Sequence, residues 1–96
     1  MVNQLFIMII TRRNVTEEQI EVSFPHYSTD NICHWYKAIS ETKMIKIYSG
    51  NDKEYCAIDL TEYNIWMAFD DKCSVITEKE FNDKFYEVSF TMTTNL

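Results

Sequence analysis

Residues 44–60, MIKIYSGNDKEYCAIDL, are the stretch on which the reading of this chain turns. Met44 to Tyr48 and Tyr55 to Leu60 are rich in branched and aromatic residues, the composition of strands. Between them, Ser49-Gly50-Asn51-Asp52 is the one cluster with strong turn chemistry. Glycine reaches positive φ without a Cβ clash, and Asn and Asp side chains close turns on their own backbone. The stretch is expected to be an antiparallel hairpin, and the rest of the chain is read outward from it.

Upstream, Ser28-Thr29-Asp30 offers side-chain oxygens to cap a helix, and Ile32, Trp35, Tyr36 and Ile39 follow at helical spacing. This predicts a helix from about Asp30 to Glu41 with that stripe facing a sheet. Leu5 to Ile10 is an unbroken, isoleucine-rich run that reads as a strand apolar on both faces. Ile20, Val22 and Phe24 alternate with Glu21 and Ser23, the period of a strand with one wet face. These two strands are expected to pair as a hairpin. Pro25 ends the ladder, because it has no N–H to donate.

Downstream, Ile65 to Phe69 reads as a further strand, bounded by Glu62-Tyr63-Asn64 and Asp70-Asp71-Lys72. Thr77-Glu78-Lys79-Glu80 has the form of a capping box, in which Thr and the later Glu satisfy each other's backbone N–H groups. It predicts a short helix from Glu78 to about Tyr86, pinned by Phe81 and Phe85 one turn apart. Val88, Phe90 and Met92 then alternate with Ser89, Thr91 and Thr93, which suggests a closing strand. The expected order is β-β-α-β-β-β-α-β. That is an α+β fold, a two-layer sandwich with a mainly antiparallel sheet of about five or six strands and two helices on one face. Such a sandwich leaves Leu5 to Ile10 and Ile65 to Phe69, the two runs apolar on both faces, short of cover. An exposed apolar patch of that kind marks an interface, unless the helices divide between the faces or the sheet curls over itself.

With 96 residues, 46% of them hydrophobic and 15% aromatic, the chain is expected to be a single domain over residues 1–96 with one core. A single glycine, Gly50, excludes a glycine-rich phosphate loop. Cys33, Cys56 and Cys73 are an odd number, which argues against a disulfide framework and for a reducing, cytoplasmic setting. The apolar run at Leu5 to Ile10 is followed by Arg12 and Arg13, the reverse of a signal peptide, and is far short of the ~20 residues of a membrane span.

Charge divides the chain in two. Up to Tyr48, Arg12, Arg13, Lys37, Lys43 and Lys46 balance Glu17, Glu18, Glu21, Asp30 and Glu41. From Ser49 onward four lysines face ten carboxylates, so the whole net charge of −6 lies in the second half. A field of that sign speeds association with basic partners and opposes direct binding of nucleic acid, which rests on Lys and Arg meeting phosphate.

Cys33-His34 is the nearest approach to a nucleophile and base. On a helix, adjacent residues point about 100° apart and do not face each other, so no catalytic residue is assigned. No Cys or His pair has CxxC, HxxxH or CxxH spacing, so no metal or cofactor is expected either. The carboxylates at Asp59, Glu62, Asp70, Asp71, Glu78, Glu80 and Asp83 fall in turns and at a helix start, where negative charge is structurally favoured. Tyr55, Tyr63, Trp66 and Tyr86 share their half of the chain, and Tyr48 stands at its border. Tyr and Trp are enriched at binding hot spots, and acidic groups around them form a polar rim selective for basic partners. The partner-binding residues are therefore expected to include Tyr55, Asp59, Glu62, Tyr63, Trp66, Asp70 and Asp71.

In general character the chain is rich in Ile, Asn, Lys, Tyr and Phe and poor in Gly, Ala, Pro and Arg. In this it resembles the small early proteins of bacteriophages with AT-rich genomes. The resemblance is compositional. It implies a stoichiometric inhibitor or adaptor acting in the host cytoplasm on a nucleic-acid-binding or defence protein, in the manner of anti-restriction or anti-CRISPR proteins. The expected partner is a protein with a basic surface, with neither nucleic acid nor membrane bound directly. The alternatives are a self-associating structural protein, dimerising through its doubly apolar strands, and a small enzyme that uses a cysteine with His26 or His34.

Overall fold

A computed structural model describes residues 5–12, 16–50, 56–61 and 65–94. β1 (Leu5–Arg12) and β2 (Thr16–Ser23) form an antiparallel hairpin of their own. β3 (His26–Thr29), β4 (His34–Ala38), β5 (Met44–Ser49) and β6 (Cys56–Thr61) follow as a meander. A 3₁₀ helix (Ile65–Phe69) then leads to the two-residue β7 (Ser74–Val75), and α1 (Glu78–Thr94) follows it. The second sheet has the order β6-β5-β4-β3-β7 with every neighbouring pair antiparallel.

Directly paired residues share a face, so the register sorts the side chains of this sheet. Ser28, Tyr36, Ala38 and Met44 lie on one face. There Val22 of β2 and Ile65 and Ala68 of the 3₁₀ helix bury Tyr36, Ala38 and Met44. Tyr27, Trp35, Ile45, Ile47 and Ile58 lie on the other, where Phe81 and Val88 of α1 close a second cluster around Tyr27 and Ile47. The sheet is thus the middle of three layers. The two expected strand pairings are both present, β1 with β2 and β5 with β6.

The α+β class and the antiparallel sheet stand, whereas the two-layer, two-helix arrangement does not. Three local readings differ, each for a physical reason. No helix spans Asp30 to Glu41. Asp30 does collect backbone N–H groups as a helix cap would, but Asn31 takes a left-handed φ of 65° and the chain doubles back into β4. β4 is packed on both faces, Trp35 toward α1 and Tyr36 and Ala38 toward the hairpin, so it carries no period-two signal. Ile32, expected in the helical stripe, is 81% exposed.

Ile65 to Phe69 is a 3₁₀ helix, not a strand. Ile65 and Ala68 are buried together because three residues complete a turn. The expected closing strand at Val88 to Met92 is the continuation of α1. Val88 falls two turns after Phe81 on the buried stripe, and Phe90 points outward. Thr91 and Thr93 look strand-like by composition, but their hydroxyls donate to the carbonyls of Glu87 and Ser89 one turn earlier. On the hairpin, Ile7 and Ile9 are exposed opposite Glu21 and Gln19.

Candidate functional site

The β3–β4 turn, residues 30–33, is held by its own polar groups. The Thr29 hydroxyl donates to the His34 carbonyl oxygen at 2.8 Å and accepts the Asn31 N–H at 3.1 Å. Asn31 Nδ2 donates to the Ser74 hydroxyl at 2.9 Å, fastening the turn to β7. Asp30 Oδ1 accepts the N–H groups of Ile32, Cys33 and His34, each at 2.9 Å. Its other oxygen, Oδ2, is thereby aimed at His34 Nδ1, 2.8 Å away. Cys33 Sγ approaches the same ring nitrogen at 3.3 Å.

The imidazole is steadied on both sides. It stacks on Tyr36, with centroids 5.9 Å apart and planes 8° apart, and meets Tyr48 edge-on at 5.3 Å. Burial on its own would raise the Asp30 pKa, but the backbone donors of His34, Ile32 and Cys33 and the His34 ring outweigh it and hold the carboxyl below its usual range. Burial first, and then the Asp30 charge, push the Cys33 thiol up.

The turn forms one wall of a cleft of about 390 Å³, and the 3₁₀ helix and the turn after it form the other. Asp30, His34, Tyr36, Trp66, Asp70 and Cys73 line it. Burial, followed by the Asp30 charge, raises the Tyr36 phenol. Burial and then the Asp70 charge push the Cys73 thiol up to about 11, and its Sγ donates to the Met67 carbonyl oxygen at 3.3 Å. Trp66 Nε1 is buried with no hydrogen-bond partner.

Of the residues expected from the sequence to bind a partner, Trp66 and Asp70 line this cleft, and Asp71 is exposed in the turn beside it. Asp59 lies opposite Lys46 on β6, and Lys46 lies opposite Tyr36, so Asp59 shares the cleft's face of the sheet two strands away. Tyr55, Glu62 and Tyr63 lie outside the described residues. The helical carboxylates sit on another element: Asp83 and Glu87 pair with Lys79 and Lys84, and Glu80 closes the capping box with Thr77. Asp30, His34 and Tyr36 were not among the expected residues. The pattern Asp30-x-x-Cys33-His34 would have singled out the first two, had carboxylates been counted alongside Cys and His.

A nucleophile–base–acid relay needs the imidazole to use one nitrogen for the nucleophile and the other for the acid. Here both contacts fall on Nδ1, and the thiol is raised in pKa rather than activated. Among the described residues, no helix is long and apolar enough to cross a membrane. Comparison with protein-family models, with curated proteins and with solved structures finds no match to this chain.

Proposed function

We propose that this chain is a non-enzymatic protein that binds a protein partner carrying basic side chains, and that the cleft beside the β3–β4 turn receives one of them. The observation that carries this reading is the composition of the cleft. Its walls include the rings of Trp66 and Tyr36 and the carboxylates of Asp30 and Asp70, with Lys72 as its one ammonium group among the described lining residues. Rings that attract a cation by their faces, together with carboxylates that accept its N–H groups, suit a guanidinium or ammonium group. The acidic excess of the second half adds long-range attraction. The compositional likeness to small early phage proteins favours a host nucleic-acid-binding or defence protein as the partner, met in the host cytoplasm.

The test is capture from a bacterial lysate by the tagged chain and by Asp70→Asn, with Asp83→Asn on α1 as control. Asp70→Asn keeps the oxygen that accepts the Lys72 N–H and removes the charge. The expected result is a stoichiometric basic partner that leaves at high salt, is lost with Asp70→Asn and is kept with Asp83→Asn. Equal capture by all three would refute the cleft as the binding site. Exposed Ile7 and Ile9 on the β1–β2 hairpin favour a second reading, self-association through that face. A single monomer boundary in sedimentation at tens of micromolar would reject it.

A further inference from the structure

The geometry points to a transition-metal site at the β3–β4 turn, with Asp30 Oδ2, Cys33 Sγ and His34 Nδ1 as three ligands to a zinc-class ion and water as the fourth. The donor atoms of these three residues lie within 4.8 Å of one another. The oxygen-to-nitrogen edge is 2.8 Å and the sulfur-to-nitrogen edge 3.3 Å. A tetrahedral zinc ion with ordinary bond lengths to O, N and S sets those edges at about 3.4 and 3.6 Å. Loading the site therefore asks these two edges to lengthen by about 0.6 and 0.3 Å.

The same feature that rules out a relay suits a metal. Three donors of different chemistry converge on one point, and the mixed O, N and S set selects a borderline ion such as zinc over calcium or magnesium, which take oxygen. The outer shell is already in place. Three backbone N–H groups fix the Asp30 carboxylate through Oδ1 and leave Oδ2 to ligate, while Tyr36 and Tyr48 hold the plane of the His34 ring. On binding, the Cys33 thiol releases its proton to solvent and the imidazole carries its proton on Nε2. The divalent ion, the thiolate and the carboxylate then sum to zero charge, which a half-buried turn tolerates. Cys56 and Cys73 take no part. This inference does not rest on the partner-binding reading, and its test needs no partner; with the metal bound, Asp70 rather than Asp30 supplies the negative charge of the cleft.

The experiment is titration of the reduced, metal-free full chain with Co²⁺, followed by competition with Zn²⁺. The expected result is saturation at one equivalent, with a thiolate-to-cobalt charge-transfer absorption and the ligand-field bands of a four-coordinate ion, both erased by Zn²⁺. The charge-transfer band should persist in Cys56→Ala and Cys73→Ala and vanish in Cys33→Ala and Cys33→Ser. Asp30→Asn should weaken binding by at least the 10- to 100-fold that loss of an outer-shell partner costs. Circular dichroism of the two Cys33 variants confirms that the fold is kept. Absence of a thiolate band in the wild-type chain, or a band that survives loss of Cys33, would overturn the assignment.

Discussion

The Ser28 hydroxyl donates to the Ala68 carbonyl oxygen over 2.7 Å in a buried position, joining β3 to the 3₁₀ helix that walls the cleft. The His26 side chain bonds the same carbonyl, so Ala68 keeps one partner if Ser28 loses its hydroxyl. Ser28→Ala is therefore expected to destabilise by about 1 kcal/mol, the net worth of one internal hydrogen bond, rather than by the larger cost of an orphaned group. Urea denaturation measures this, and an unchanged midpoint would mean that the 3₁₀ helix is held by packing alone.

Stability should also fall on mild acidification. His26 stacks on Phe69 at 4.4 Å, and burial lowers its pKa, opposed by the bond to Ala68. The unfolded chain thus binds the proton more tightly than the folded one. The contribution of His26 is complete above about pH 6.5 and is lost as pH falls from there toward the lowered folded value. Denaturation midpoints at a series of pH values between about 7.5 and 5 should show this slope, and His26→Phe should flatten it. A slope that persists in His26→Phe would place the titrating group elsewhere.

A single pair of substitutions separates a helix from a strand at the end of the chain. Phe81 is 2% exposed and Phe90 is 71% exposed. On the helix, Phe81→Ala should cost about 3–5 kcal/mol. Phe90→Ala should stay within about 0.5 kcal/mol. Were Val88, Phe90 and Met92 the inward face of a strand, the two costs would be comparable.

Trp66 holds an indole N–H that is buried and unpartnered, so Trp66→Phe removes an unsatisfied donor while giving up some contact area. Its net effect on stability should lie within about 1 kcal/mol in either direction. Ile65→Ala next to it, at a position 6% exposed, should cost about 2–5 kcal/mol. Thermal melts of the two variants test the ranking, and a larger loss for Trp66→Phe would show that the indole is an anchor of the core.

Local turn chemistry was legible in the sequence wherever its outcome was unambiguous. Ser49-Gly50-Asn51-Asp52 and the alternation at Ile20 to Phe24 marked the two hairpins, and Thr77 with Glu80 marked the start of α1. Asp30 was legible as a capping residue, but the same three N–H acceptances serve a helix start and a tight hairpin turn. Only Asn31 at positive φ decides between them. Trp35, Tyr36 and Ala38 then misled, because a strand covered on both faces has no polar side to alternate with. The cleft was half legible. Trp66 and Asp70 stood out by residue type, whereas His34 and Tyr36 reach it only through the β4 register.

β3, β4, β5 and β6 are neighbours both along the chain and across the sheet, whereas β7 joins β3 only after the whole meander and the 3₁₀ helix have been laid down. That connectivity orders events in time. Pairing of consecutive strands closes small loops at little entropic cost, and the β3–β7 ladder must wait for a large one. The meander should therefore be the nucleus and β7 a late arrival. Loss of packing at Ile47 should slow folding, while weakening the tie between Asn31 and Ser74 should mainly quicken unfolding. Stopped-flow rates would tell these apart, and they would identify the seam along which this sheet first opens.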